Sequence, residues 1–194
     1  MRKLLLTLVV VLAGTNLSGC GYNKLQNQDE SVKAAWSEVV NQYQRRADLI
    51  PNLVATVKGF ASQEQQVLLG VTNARAKVGS VQVTPETVND PQALRQFSQA
   101  QGELTGALSR LLVVAENYPQ LRSNENFLRL QDELAGTENR IAVERRKYNE
   151  TLQRYNTAIE LFPNNIVAGM SGFTRNDAYF KTEPGARTNP KVQF

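Results

Sequence analysis

The chain has 194 residues, 41% hydrophobic and 21% charged, with 22 Lys and Arg against 18 Asp and Glu. It holds no histidine and a single cysteine, Cys20, which excludes histidine triads, histidine general bases and histidine metal ligands. The formal charge of +4 drops to +2 if Arg2 and Lys3 leave with a leader that contains no acid, too small an excess to argue for nucleic acid.

Arg2 and Lys3 precede an apolar run, Leu4 to Ala13 (LLLTLVVVLA), and Gly14, Thr15 and Asn16 lead to Leu17-Ser18-Gly19-Cys20. A basic start, a short apolar stretch and a small-residue zone form a secretory signal. The run falls short of the roughly 20 apolar residues that span a bilayer. Leucine, two small residues and cysteine resemble the lipobox of bacterial lipoproteins. That resemblance implies cleavage after Gly19, lipid on the Cys20 thiol and acylation of the new amino group. The alternative is an uncleaved anchor with Cys20 as a bystander. Gly21, in place of aspartate, resembles the signal for the outer membrane, facing the periplasm, in a Gram-negative cell. In a Gram-positive cell the body would stand outside the plasma membrane. The expected organisation is a signal peptide (1–19), an anchor and linker (20–28), a helical bundle (29–162) and an extended C-terminal segment packed on it (163–194).

From Val32 onward, steps of four and three connect Trp36, Val39, Tyr43, Arg46, Ile50, Leu53, Val57, Phe60, Glu64, Val67, Val71, Ala74 and Val78, one stripe of a helix. Only Arg46 and Glu64 break the apolar seam. Pro51 lies inside it and cannot donate to the carbonyl of Ala47, four residues back. Because the stripe keeps phase, the favoured reading is one kinked helix from about Asp29 to Val78. The alternative is a hairpin in which Asp48 caps a new helix with Pro51 in its first turn. Gly79 to Pro91 (GSVQVTPETVNDP) is a clear break, with Asp90 as a cap. A second helix follows from about Pro91 to Tyr118, with Leu94, Phe97, Gln101, Leu104, Leu108 and Leu111 in step. After a short turn at "PQLRSNE", a third runs from about Asn124 to Leu161, with Phe127, Leu134, Glu138, Ile141, Arg145, Tyr148, Leu152 and Tyr155 in step. The fold class is therefore all-α: an elongated antiparallel bundle of three to four long, coiled-coil-like helices. Ile166, Val167, Met170, Phe173, Tyr179, Phe180, Val192 and Phe194 make the remainder too apolar for a free tail, so it should lie extended on the bundle as a strap.

Few residues suggest chemistry. Arg45, Arg46 and Asp48 form the densest charge group; they either cap and pair within the bundle or make a partner-docking patch for an anion. Glu64, Gln101 and Glu138 fall at similar heights if the second helix runs back along the first, and suit a polar layer that fixes helix register. A di-metal centre would need Glu-x-x-His pairs, so no metal and no cofactor are expected. Arg145 could pair with one of the acids. Tyr43, Tyr118, Tyr148 and Tyr155 read as core residues with their hydroxyls at an edge. Gly169 and Gly172 lack the lysine and preceding strand of a phosphate loop and would let the backbone pass close to the bundle. No nucleophile and base pair is present, so no enzyme is expected.

Several stretches together resemble the LemA family of bacterial envelope proteins: "GYNKLQ", "AAWSEVVNQYQRRADLIPNLVATVKGF", "VTNARA", "AENYPQLRSNENFLRLQDELAGTENRIAVERRKYNETLQRYNTAIELFP" and "AGMSGF…YF…PKVQF". The resemblance implies a membrane-bound helical bundle with no established biochemical activity. Members commonly carry an N-terminal transmembrane helix, where this chain shows a lipobox. Neighbouring genes in the family imply membrane peptidases or TPM-domain proteins as partners. The expected function is a non-catalytic, lipid-anchored scaffold of the cell envelope; the alternatives are an adaptor of an envelope peptidase, or an enzyme working with two converging carboxylates.

Overall fold

The computed structural model describes residues 2–81, 84 and 89–181, with side chains from residue 21 onward. The expectations that rest on Met1, on the side chains of residues 2–20 and on Val192 and Phe194 lie outside the described residues. The chain is all-α, a bundle of α1 (Arg2–Phe60), α2 (Gln65–Ser80), α3 (Pro91–Ala115), a single turn α4 (Pro119–Arg122), α5 (Glu125–Glu160) and α6 (Asn164–Ser171). At 1.5 Å per residue, α5 alone is about 54 Å long.

The start signals act as the sequence suggests. Asp90 caps α3 by accepting the Gln92 backbone N–H, with Pro91 in the first turn, where its missing N–H is harmless. Asn124 caps α5 by accepting from the Phe127 N–H, at the usual third helical position.

The single rod to Val78 is not what forms. Pro51 is inside α1, so neither it nor Asp48 starts a new helix; the reversal comes later, at Ala61–Glu64. Past it, α2 runs back along α1, and Arg75 Nε donates to the Ala47 carbonyl at 3.0 Å. That carbonyl is the one Pro51 cannot serve. The proline in α1 is thus matched by an arginine from the returning helix, which explains how a helix interior tolerates it. The stripe could not reveal the turn. A four-residue reversal has nearly the length of one helical turn, Ala61 within it is fully buried, and spacing carries no record of direction.

α5 lies antiparallel to α1, with Arg46 beside Glu138 and Trp36 beside Tyr148. α3 lies parallel to α1, with Phe97 against Trp36 and Tyr43, and antiparallel to α2, where Lys77 pairs with Glu103 at 2.6 Å. That lysine holds the Glu103 carboxyl below its ordinary value. Four helices therefore surround the distal half. Its core is mainly aliphatic: Ile50, Leu53, Val57, Leu104, Leu108, Leu111 and Leu134, with Phe127.

α2 ends at Ser80 and α3 begins at Pro91, so the half nearer Cys20 has α1 and α5 without two further full helices. Its core is aromatic, with Trp36, Tyr43, Phe97, Tyr148, Tyr155 and Phe180. The missing cover comes from α6 and from residues 173–181, which lie extended. In that segment Asn176, Ala178 and Phe180 are buried while Arg175, Asp177 and Lys181 are exposed, the period of two of an extended chain. Two details differ from expectation. Residues 164–171 are helical, not extended, and Ile166 and Met170 face outward. Gly172 sits at φ 78° as the left-handed cap of α6, and Gly169 has open space about it; the close backbone approach is made by Gly21, where a Cβ would come within 3.1 Å of Val167.

Candidate functional site

The two cores meet at one polar layer. Arg46 sits on α1 among apolar neighbours and is only 1% exposed. Its Nη1 donates to Glu138 Oε1 at 2.5 Å and to Thr105 Oγ1 at 3.1 Å. Its Nη2 donates to the Gln101 carbonyl at 3.3 Å and to Gln101 Oε1. The guanidinium also lies 5.2 Å from the centre of the Tyr43 ring. A buried charge is tolerable only when paired and hydrogen-bonded, and here α3 and α5 supply those partners. Arg46 Nε and Gln101 Nε2 are buried without a hydrogen-bond partner among the described residues, so the layer is costly to hold and contributes little net stability.

This arrangement reassigns the charged residues read from the sequence. Arg46 points inward, so Arg45, Arg46 and Asp48 do not present one docking patch. Arg45 and Asp48 are exposed on α1, and Asp48 accepts from Gln44 one helical turn back, at 2.7 Å. The physical reason is angular: residue 46 falls on the buried stripe, whereas 45 and 48 fall off it. Of Glu64, Gln101 and Glu138, the last two converge on Arg46. Glu64 closes the reversal at the distal end, where the Tyr118 hydroxyl donates to it at 2.8 Å; that bond raises the Tyr118 pKa. Among the described residues Arg145 pairs with no acid: its guanidinium lies 4.8 Å from the centre of the Phe180 ring, and Nη2 donates to the Lys181 carbonyl at 3.1 Å.

A cleft of about 460 Å³ opens beside the layer, between α3, α5 and the extended segment, lined by Arg95, Gln101, Glu138, Arg145 and Asp177 among others. Among the described residues both carboxylates that line it are engaged, Glu138 by Arg46 and Asp177 by Arg175 Nε at 2.8 Å. Among the described residues no group of three or more Cys, Asp or Glu is placed to hold a metal ion.

The residues that bind the extended segment form the second polar array, and sequence reading found only half of it. Tyr148 and Tyr155 are buried in the core, and their hydroxyls donate to the carbonyls of Ala178 and Thr174, each at 3.0 Å. Burial pushes both hydroxyls up from their ordinary value of 10.0. Beside each tyrosine stands an asparagine. Asn149 donates Nδ2 to the Phe180 carbonyl at 2.8 Å and accepts the Phe180 N–H at 2.9 Å. Asn156 does the same for Asn176, at 2.7 and 3.0 Å. A carboxamide presents one donor and one acceptor side by side, so each asparagine serves one strap residue as a neighbouring strand would. The signal was present as two Tyr-Asn pairs seven residues apart in "KYNETLQRYNT", a spacing that returns to the same helix face. Phe180 completes the attachment by stacking on Trp36, centroids 5.8 Å apart.

The class defined by these features is an all-α antiparallel bundle, divided by a buried ionic layer and closed at one end by a C-terminal strap. The sequence matches the LemA family over residues 35–194, and the chain belongs to that family. It is similar to magnetosome protein MamQ 2 of Paramagnetospirillum magneticum, 28% identical, covering 86% of this chain and 67% of that protein. MamQ of Magnetospirillum gryphiswaldense is 27% identical over the same shares. Protein LemA of Metamycoplasma hominis is 26% identical over 75% of this chain and 59% of its own length.

Proposed function

We propose that this LemA-family chain is a membrane-attached, non-catalytic scaffold of the cell envelope, held through lipid on Cys20 and offering its bundle to a protein partner. The observation that carries the non-catalytic reading is the engagement of both cleft carboxylates by arginines. A carboxylate whose oxygens are taken up by arginine partners is not free to engage a substrate, and the chain has no histidine to replace it. Membrane attachment is supported by the leader and by Leu17-Ser18-Gly19-Cys20. Likeness to proteins named for the magnetosome favours a part in holding a cellular assembly together over turnover of a small substrate.

Two experiments test this. Mass spectrometry of membrane-extracted protein should find an acylated N-terminus at Cys20, and Cys20→Ala should accumulate unprocessed precursor; an intact Met1 on the mature protein excludes the lipid anchor. Crosslinking in intact cells, followed by purification, should recover a defined envelope protein in stoichiometric amount. If that protein is a membrane peptidase or a TPM-domain protein, the scaffold is its adaptor. Turnover by the purified chain that disappears in Glu138→Gln would overturn the non-catalytic reading.

A further inference from the structure

The apolar residues left exposed at the Cys20 end of the bundle form one patch, and we infer that this patch lies on the lipid surface. The inference rests on the membrane attachment proposed above. One face of α6 is committed to the protein: Ala168 is buried, and Val167 packs on Gly21. On another face Ile166 and Met170, four residues apart and hence neighbours on the helix, are 55% and 85% exposed. In the turn before α6, Leu161 and Phe162 are 58% and 79% exposed. Tyr22 adds an exposed ring in contact with Phe173, at 5.7 Å between centroids. The other exposed apolar residues, such as Leu69 and Val113 on α2 and α3, stand apart from this group, as single surface apolar residues commonly do.

Position names the occupant. Gly21 follows Cys20 directly, and consecutive Cα atoms are about 3.8 Å apart. Whatever Gly21 touches is therefore at headgroup depth once Cys20 carries lipid, and Gly21 touches α6. α6 contains no charged residue, so it can enter the interface with only Asn and Ser side chains to keep hydrated. A short helix with an apolar face and a tyrosine beside it suits that boundary. A single lipidated residue leaves a rod free to pivot; a second contact beside it would set the rod's angle to the bilayer.

The test uses the full chain, extracted from membranes and reconstituted in phosphatidylethanolamine and phosphatidylglycerol vesicles. Nitroxide labels are placed at Met170→Cys or Ile166→Cys, and at Val113→Cys on α3 for comparison. All three positions are solvent-facing, so the fold should survive. In the unsubstituted chain, uptake of label at Cys20 reports directly that the lipid is missing. The expected result is a severalfold higher ratio of oxygen to nickel-complex accessibility at 166 and 170 than at 113. A chain that floats with the vesicles but shows the same ratio at 170 and 113 overturns the patch while leaving the anchor intact. A chain that does not float overturns both. Strong dipolar broadening between labels at 170 on two chains would assign the patch to a second copy and overturn the lipid contact.

Discussion

The two halves of the bundle solve the same burial problem with different materials. The distal half has four helices around an aliphatic core, and its side chains need only the right spacing. The half nearer Cys20 has no full-length counterpart of α2 and α3, which end and begin short of it, and is covered instead by α6 and a strap of irregular chain. A strap has backbone donors and acceptors that no helix satisfies internally, and leaving them buried and unpaired is costly. Hence the tyrosine hydroxyls and asparagine amides on α5, and hence the large rings, which fill volume that a thin strap cannot. Covering a core with helix demands apolar side chains; covering it with extended chain demands apolar side chains and polar clamps together. Arg46 and its partners lie at the junction of these two regimes.

The largest effect should come from the aromatic centre. Trp36 packs against Phe97, Tyr148 and Phe180, so Trp36→Ala should cost about 3–5 kcal/mol in a denaturant titration. Hydrogen exchange sharpens the comparison. Protection should fall mainly in 148–159 and 176–180, with less change in 104–111; an equal loss in both halves would mean that the polar layer does not separate them.

Next in size is an asymmetry across that layer. Glu138→Leu leaves the Arg46 guanidinium buried without its counter-charge and should cost roughly 2–4 kcal/mol. Arg46→Met removes the buried charge itself and leaves Glu138, whose side chain is 41% exposed, free to hydrate. It should cost less than about 1 kcal/mol, or stabilise the fold while loosening helix register. Thermal melts of the two variants decide it: equal losses would show that the layer is held by the ion pair alone.

The helices, their caps and the inward stripes were legible because each rests on a local rule: Asp90 and Asn124 cap, and residues from Trp36 to Val57 follow the three-and-four spacing. The reversal at Ala61–Glu64 was not legible, since it preserves that spacing. The same error displaced Glu64, which was aligned with Gln101 and Glu138 but lies at the far end by Tyr118. Arg46 carries two signals, a place on the inward stripe and a place in a charge cluster with Arg45 and Asp48; the stripe position is the one that decides, because phase fixes which way a helical side chain points. Asn149 and Asn156 were missed because a polar residue on a helix reads as solvated unless something outside the helix needs it. What needed them was the strap, more than fifteen residues further along the chain.

Smaller again is the pairing that makes Pro51 acceptable. Arg75→Met should leave the Ala47 carbonyl without its donor and cost about 1–3 kcal/mol. With Pro51→Ala the backbone N–H returns and can serve that carbonyl. The cost of Arg75→Met should then shrink by at least half, a coupling read from a double-mutant cycle. Additive losses would show that Arg75 acts through packing on α1 and not through the carbonyl.

The smallest effect is absent at neutral pH and appears only in alkali, where it separates the halves by mechanism. Tyr148 and Tyr155 have hydroxyl pKa values raised by burial, which means that the folded chain favours the neutral phenol. Their contribution is fully present below the ordinary value of 10.0 and is lost as pH rises above it towards the folded values. Tyr118 in the distal half also shifts upward, through its bond to Glu64, but it lies at an edge where an ionised form can reach water. Stability should therefore be flat with respect to ionised tyrosine up to about pH 10 and fall above it. Tyr148→Phe should weaken the strap at neutral pH, through the lost bond to the Ala178 carbonyl, yet reduce the alkaline slope. Tyr118→Phe should reduce that slope less than Tyr148→Phe does, because the more exposed phenolate is better solvated. Urea midpoints measured from pH 8 to pH 11 distinguish these outcomes. A slope carried by Tyr118 would place the sensitive tyrosine at the aliphatic end and undo the contrast drawn between the two cores.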